Sequence, residues 1–75
     1  MKQLFSHITI DPNIQFGKPV IEGTRTPVDV VIGHLAAGMT IEEIIKEYRL
    51  TREQILAALQ YAAYIVADES VSVTA

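Results

Sequence analysis

From residue 28 to residue 67, apolar residues recur at the three- and four-residue spacing of an α-helix. Three separate segments show this spacing, and they predict helices over about 27–37, 41–48 and 52–67. Gly38 follows the first segment, where glycine commonly ends a helix. The positions predicted to face the core are Val28, Val31, Ile32 and Leu35 in the first helix and Ile41, Ile44, Ile45 and Tyr48 in the second.

A threonine precedes each of these segments, and an Asp, Glu or Gln follows it three residues later. In a capping box the threonine hydroxyl accepts a hydrogen bond from the amide of that later residue, whose side chain accepts from the threonine amide. Pro27 suits the first position of a helix. The sequence therefore predicts three N-caps, at Thr26 with Asp29, at Thr40 with Glu43 and at Thr51 with Gln54.

The first 25 residues follow a different pattern. Residues 4–10 alternate apolar and polar positions and end in β-branched residues, which predicts one short strand. Residues 17–27 contain two glycines and two prolines, which predict a tight hairpin-like segment with one short strand. The tail, 68–75, is expected to fray or to add a strand to a partner. We predict a single, mainly α domain: a β segment over 1–25, a three-helix bundle over 26–67 and the tail.

The second and third predicted helices have the dimensions of a helix-turn-helix, with the first helix packed behind them. Side chains at the start of the third helix would then reach DNA, and the candidates are Lys46, Arg49, Arg52 and Gln54. The net charge of −3 and the pI near 5.1 argue against a protein that grips nucleic acid by electrostatics alone. DNA contact is therefore expected only in a larger assembly.

The third predicted helix is too apolar for a groove-reading helix, since twelve of its thirteen residues from 55 to 67 are apolar. Such a helix is buried on all sides. One stripe, formed by Ile55, Leu59, Ala62 and Val66, is predicted to face the other two helices. A short chain has little left to cover the rest. We therefore predict a homodimer, a higher oligomer or a partner interface through Leu56, Tyr61, Ala63, Tyr64 and Ile65.

Chemistry-bearing residues are sparse. The chain has no cysteine, and His7 and His34 lie far apart with no ligand-spaced partner, so we expect no metal, cofactor or catalytic site and no enzyme. Lys18, Thr24 and Arg25 stand on a stiff segment that could present them to a partner, although the two cations could equally pair with Glu22 or Asp29. No signal peptide or membrane span is expected, which favours the cytoplasm.

Two blocks of sequence, IDPNIQFGKPVIEGTRTPV and GMTIEEIIKEYRLTREQILAALQYA, together resemble the bacterial domain-of-unknown-function family 433. The resemblance covers residues 8–64. The chain departs from the family pattern at Glu22, where a basic residue is frequent, and at Thr26, where isoleucine is frequent. Its most specific positions are Gly17-Lys18-Pro19-Val20-Ile21, Gly23-Thr24-Arg25, Pro27-Val28, Gly38, Thr40, Glu43 and Leu50-Thr51.

The resemblance implies a homeodomain-like three-helix fold with a small β segment. It also implies a VapB-like antitoxin of a type II toxin-antitoxin system, which binds and inhibits a PIN-like ribonuclease toxin and represses its own operon. Two other functions remain open from the residues themselves. One is a stand-alone helix-turn-helix regulator of transcription, and the other is a purely structural homodimer.

Overall fold

The computed structural model describes residues 2–68, with side chains from Phe5 onward, and has three helices and a small antiparallel sheet. The predicted mainly α fold is confirmed. Asp68 is the last helical residue, and the rest of the predicted tail, 69–75, lies outside the described residues. The elements are β1 (Lys2–Phe5), β2 (Ile8–Ile10), β3 (Val20–Ile21), α1 (Val28–Ala36), α2 (Ile41–Tyr48) and α3 (Arg52–Asp68).

The prediction of one strand over 4–10 is wrong, because this segment is a hairpin in the three-stranded sheet β1-β2-β3. Ser6 and His7 form its two-residue turn, with His7 in the left-handed region at φ 64°. Serine favours turns only weakly, and the pair lacks the glycine, asparagine or aspartate that marks a two-residue hairpin turn in a sequence. The His7 carbonyl accepts a hydrogen bond from the Glu22 amide at 2.7 Å, which ties the turn to the end of β3.

The predicted cap at Thr26 is also wrong. The chain stays extended through Pro27, at ψ 147°, and α1 begins at Val28 without a side-chain cap. The Thr26 carbonyl accepts from the Ile21 amide at 3.0 Å, which keeps the residue in the β segment. The Val28 amide, which a cap would otherwise satisfy, donates to the Pro19 carbonyl at 3.0 Å. The Pro19 carbonyl, just before β3, therefore takes the place of the Thr26 hydroxyl as the acceptor for the first amide of α1.

The other helix ends match the sequence pattern. Gly38, at φ 100°, ends α1, and its amide donates to the Leu35 carbonyl while Met39 donates to the His34 carbonyl. Both remaining capping boxes are present. The Thr40 amide donates to Glu43 Oε1 at 2.8 Å, and the Glu43 amide donates to Thr40 Oγ1 at 3.1 Å. In α3 the corresponding bonds join Thr51 and Gln54 at 2.8 and 3.1 Å.

The core lies between the sheet, α1 and the first turns of α3, with α2 closing one side. Its fully buried members come from every layer, and the predicted inward positions of α1 and α2 either belong to the core or pack against it. The prediction that Val66 faces the other helices is wrong, since its side chain is 67% exposed. The buried hydrophobic residues are Ile8, Val20, Ile21, Val28, Val31, Ile44, Leu50, Ile55, Ala57 and Ala58.

The reason for the Val66 discrepancy is helix length. At 1.5 Å per residue the 17 residues of α3 span about 25 Å, whereas the 8 residues of α2 span about 12 Å. All buried residues of α3 fall in its first two turns, from Ile55 to Ala58. The C-terminal half of α3 therefore extends beyond the element that covers its beginning.

Two threonine variants test the corrected caps. Thr51→Ala removes a hydroxyl that accepts from the Gln54 amide, so the free energy of unfolding should fall by about 1 kcal/mol. Thr26→Ala removes no cap and should change it by less than about 0.5 kcal/mol. Urea unfolding followed by circular dichroism measures both. Equal losses in the two variants would contradict the assignment of α1.

Candidate interaction site

An apolar groove of about 440 Å³ runs along the C-terminal half of α3. The segment before β3 forms one wall and α1 forms the other, so the groove joins the β segment to the helices. An ion pair between Lys18 Nζ and Asp29 Oδ2, at 3.1 Å, lies at its rim. The lining residues are Lys18, Pro19, Val28, Asp29, Ile32, Gly33, Tyr61, Ala62 and Ile65.

The groove exists because two features leave the core unfilled at this end. Ala58, Tyr61 and Ile65 are three and four residues apart, so the core-facing side of α3 continues past the end of the core. On the opposite wall, Gly33 has no side chain, and a Cβ built there would meet nothing within 4 Å. An apolar helix face thus extends over a space that no side chain of residues 5–68 fills.

The predicted partner interface on α3 is divided between two faces. Tyr61 and Ile65 line the groove, whereas Leu56 and Ala63, seven residues apart, lie on the outer face with Tyr64 beside them. Leu56 is 42% exposed, Tyr64 57% and Ile65 41%. Phe5 of β1 partly covers this end, with its ring centroid 5.9 Å from that of Tyr61 and 5.7 Å from that of Tyr64. About half of the Leu56, Tyr64 and Ile65 side chains remains exposed.

The predicted partner-binding segment is largely engaged within the chain. Lys18 pairs with Asp29, and Thr24 Oγ1 donates to the Ile21 carbonyl at 2.7 Å while accepting from the Thr26 amide at 3.0 Å. Arg25 is exposed, and its carbonyl accepts from Gln15 Nε2 at 3.1 Å. Lys18 and Thr24 thus shape the segment, and the Arg25 side chain is directed into solvent.

The four candidate DNA-binding residues also differ in what they do. Arg52 Nη2 donates to Glu42 Oε2 at 2.6 Å, so this side chain is engaged in a contact between α2 and α3. Gln54 is occupied in its capping box. Lys46 and Arg49 are exposed, and within residues 5–68 neither forms an ion pair. Of the four candidates, these two remain available to a ligand.

Arg49 is notable for its backbone, which lies in the left-handed region at φ 55° and ψ 42°. Glycine is the usual residue at such a helix end, and an arginine there costs about 1 kcal/mol. The residue stands in the turn between α2 and α3. The left-handed residue closes the helix, because the Arg49 and Leu50 amides both donate to the Ile45 carbonyl.

Three features were missed from the sequence. His34 and Tyr48 were assigned no joint role, yet His34 Nε2 lies 2.6 Å from the Tyr48 hydroxyl and shares a hydrogen bond that joins α1 to α2. His7, expected on a strand, occupies the exposed turn between β1 and β2. The contact between His34 and Tyr48 depends on how α1 packs against α2, so no spacing rule in the sequence predicts it.

The third feature is a left-handed turn over residues 15–17. Gln15, Phe16 and Gly17 have φ values of 51°, 57° and 83°. Left-handed backbone costs about 1–2 kcal/mol at each non-glycine residue, and hydrogen bonds hold it here, from Gly17 to the Ile14 carbonyl and from Lys18 to the Gln15 carbonyl. The Phe16 side chain is fully exposed. The sequence carries one signal for this feature, which is the presence of a large apolar residue, Phe16, in a segment rich in turn-forming residues.

The described residues contain neither a cluster of metal-binding side chains nor a membrane-spanning helix. Within residues 2–68, no three His, Asp or Glu side chains converge as metal ligands would. No helix in that part of the chain is long and apolar enough to cross a membrane.

The fold and the site together define a small α protein with an N-terminal β segment, two exposed apolar faces on its last helix and an acidic net charge. A model of the family described as "Protein of unknown function (DUF433)" matches residues 8–62. The chain belongs to the DUF433 family, as its sequence blocks predicted.

Two relatives and one solved structure are similar to this chain. A Mycobacterium tuberculosis protein named "Putative antitoxin VapB45" is 33% identical over 77% of the chain, and the uncharacterized protein y4eO of Sinorhizobium fredii is 39% identical over 73%. The chain spans only 24% and 25% of their respective lengths. The crystal structure of a DUF433 member from Anabaena variabilis superposes with a TM-score of 0.74 at 30% identity, covering 77% of this chain and 58% of that one.

The capping box of α2 predicts a pH dependence. Hydrogen bonds from the Thr40 amide and hydroxyl lower the pKa of Glu43, so the box stabilises the fold above the ordinary glutamate pKa and is lost as pH falls through the lowered value. Glu43→Gln keeps an acceptor oxygen but no titrating group. The difference in thermal midpoint between wild type and variant should therefore shrink between about pH 5 and pH 3. A constant difference across this range would contradict the assignment.

Proposed function

We propose that this chain is the antitoxin module of a toxin-antitoxin pair, without enzymatic activity of its own. The observation that carries the proposal is the similarity to "Putative antitoxin VapB45" over most of the chain. The exposed apolar faces of α3 support it, because an antitoxin needs a surface that a toxin covers. The partner we propose is a PIN-like ribonuclease, and the assembly includes a second copy of this chain.

The outer face of α3 is the proposed contact for the nuclease. Leu56 and Tyr64 are large and about half exposed, on a helix whose caps and first turns hold it rigidly. Fully burying a large apolar side chain contributes about 1.5–3 kcal/mol, and Leu56 and Tyr64 are already about half covered, so covering both contributes roughly that amount in total. The acidic chain also suits a ribonuclease, whose RNA-binding surface is basic.

Recovery and inhibition of the nuclease test this proposal. The tagged chain, expressed in its native host and purified gently, should carry a PIN-like nuclease that mass spectrometry identifies. Adding purified chain to that nuclease should stop RNA cleavage at a defined stoichiometry. If no nuclease is recovered, or if the recovered nuclease cleaves RNA equally well with the chain present, the antitoxin proposal fails.

A pair of α3 variants locates the contact. Leu56→Gln places an amide in the outer face and should weaken nuclease inhibition at least about tenfold, the loss expected for an apolar interface anchor. Gln60→Ala, at an exposed polar position on the same helix, should leave inhibition unchanged. Circular dichroism should show that both variants are folded. Equal inhibition by the two would exclude the outer face as the toxin contact.

A second candidate function is operator binding, and the exposed cations Lys46 and Arg49 favour it. We propose that Arg49 and Lys46 contact DNA phosphates when the chain is assembled with its partners, so that the complex regulates its own transcription. A single chain offers few exposed cations against a net charge of −3. Assembly would bring two or more such clusters to one DNA site.

Arg49→Gly separates DNA contact from folding. Glycine suits the left-handed backbone, so thermal stability should hold or rise while the cation is lost. Mobility-shift titrations of the assembled complex with its upstream DNA, at two salt concentrations, should show weaker binding and a shallower salt dependence for the variant. Unchanged DNA affinity would overturn this role. If neither nuclease nor DNA binds, a purely structural homodimer is the remaining function.

A further inference from the structure

The left-handed turn and the apolar groove lie next to each other on the molecule. Phe16 is fully exposed, and Lys18, two residues later, already lines the groove. Two residues of extended chain span at most about 7 Å, so the Phe16 backbone lies within that distance of the Lys18 backbone. A fully exposed aromatic side chain therefore stands two residues along the chain from the wall of an apolar groove.

The turn presents Phe16 rigidly. The Gly17 and Lys18 amides donate to the Ile14 and Gln15 carbonyls at 3.1 Å, and Gln15 Nε2 donates to the Arg25 carbonyl. An aromatic side chain that is fully exposed among residues 5–68, on a backbone held by hydrogen bonds, is typical of an interface anchor.

The groove has the size and chemistry to receive a phenyl ring. Its volume is about 440 Å³, and Pro19, Ile32, Tyr61 and Ile65 supply apolar walls. A cavity of about 150 Å³ with similar lining is known to hold benzene in another protein. The groove has room for one ring and for the apolar atoms of the chain that brings it.

We propose that two copies of this chain associate by exchanging Phe16, each inserting its ring into the groove of the other. Because the aromatic side chain and the groove are adjacent, the exchange closes around a two-fold axis near the rim and uses the same surface on both copies. The rim carries Lys18 paired with Asp29, so two rims meet without net charge. The outer face of α3 stays free for the nuclease. This inference rests on the self-association of the proposed antitoxin and does not depend on the nuclease contact.

A fluorescent substitution reports the insertion directly. The chain contains no tryptophan, so Phe16→Trp creates a single indole reporter. As protein concentration rises, its emission should move to shorter wavelength in step with the change in scattering mass from 8.3 kDa to twice that value. A dimer whose indole emission remains that of a fully exposed tryptophan would overturn the proposal, as would a chain that stays monomeric at millimolar concentration.

Two further variants remove the contact without weakening the fold. Phe16→Gly deletes the ring at a residue whose φ of 57° suits glycine, and Gly33→Leu fills the groove from its own helix, where leucine is the better helix former. Each should raise the dimer dissociation constant by about thirtyfold or more. The thermal midpoints of the dilute monomers should not fall.

Two matched controls test whether a loss of dimerisation is specific to the groove or follows from any loss of exposed apolar surface. Gly33→Ala gives a similar helix gain but leaves the groove open, and Val66→Ser removes an exposed apolar side chain that does not line it. Both should dimerise like wild type. If Phe16→Gly and Gly33→Leu also dimerise like wild type, the exchange is excluded while the antitoxin proposal stands. If Gly33→Leu impairs only nuclease inhibition, the nuclease occupies the groove and the proposal is likewise overturned.

Discussion

The packing of the first two turns of α3 against the other elements is the contact on which the fold depends. Ile55 and Ala58 are completely buried, and with them in the core lie Ile8 of β2, Val31 of α1 and Ile44 of α2. A chain of 75 residues can build only one core of this kind. The remaining turns of α3 are nearly as apolar, but within residues 5–68 no second layer covers them. The groove and the exposed surface around Tyr64 follow from this.

The β segment contributes to both the core and the groove. It supplies Ile8, Val20 and Ile21 to the buried residues, and the Pro19 carbonyl accepts from the first amide of α1. It also forms a groove wall and holds Phe16 beside it. Glycines and prolines in this segment thus serve the fold and the candidate site at once, because the same backbone shape that pairs with β2 also directs Phe16 outward.

The exposed cations and the exposed apolar residues of α2 and α3 lie in largely different regions of the molecule. Arg52 is paired with Glu42, which leaves Lys46 and Arg49 as the exposed cations near the turn between α2 and α3. Most of the exposed apolar residues, Tyr64, Ile65 and Val66, lie in the C-terminal half of α3, whereas Leu56 lies near its start. This arrangement is consistent with membership of a family in which one relative carries an antitoxin name.

The sequence by itself determined the helices, two of the three caps and the surplus of apolar residues on α3. These features depend on spacing within four or five residues, so local rules are sufficient to predict them. Only the tertiary structure decided that Thr26 is not a cap, that residues 4–10 form a hairpin, and that Val66 faces solvent. Each of these depends on a contact or a missing contact with a distant segment: Pro19 with Val28, His7 with Glu22, and the lack of a layer over the end of α3. The groove beside Phe16 belongs to the same group, because it is a space between elements and has no sequence pattern of its own.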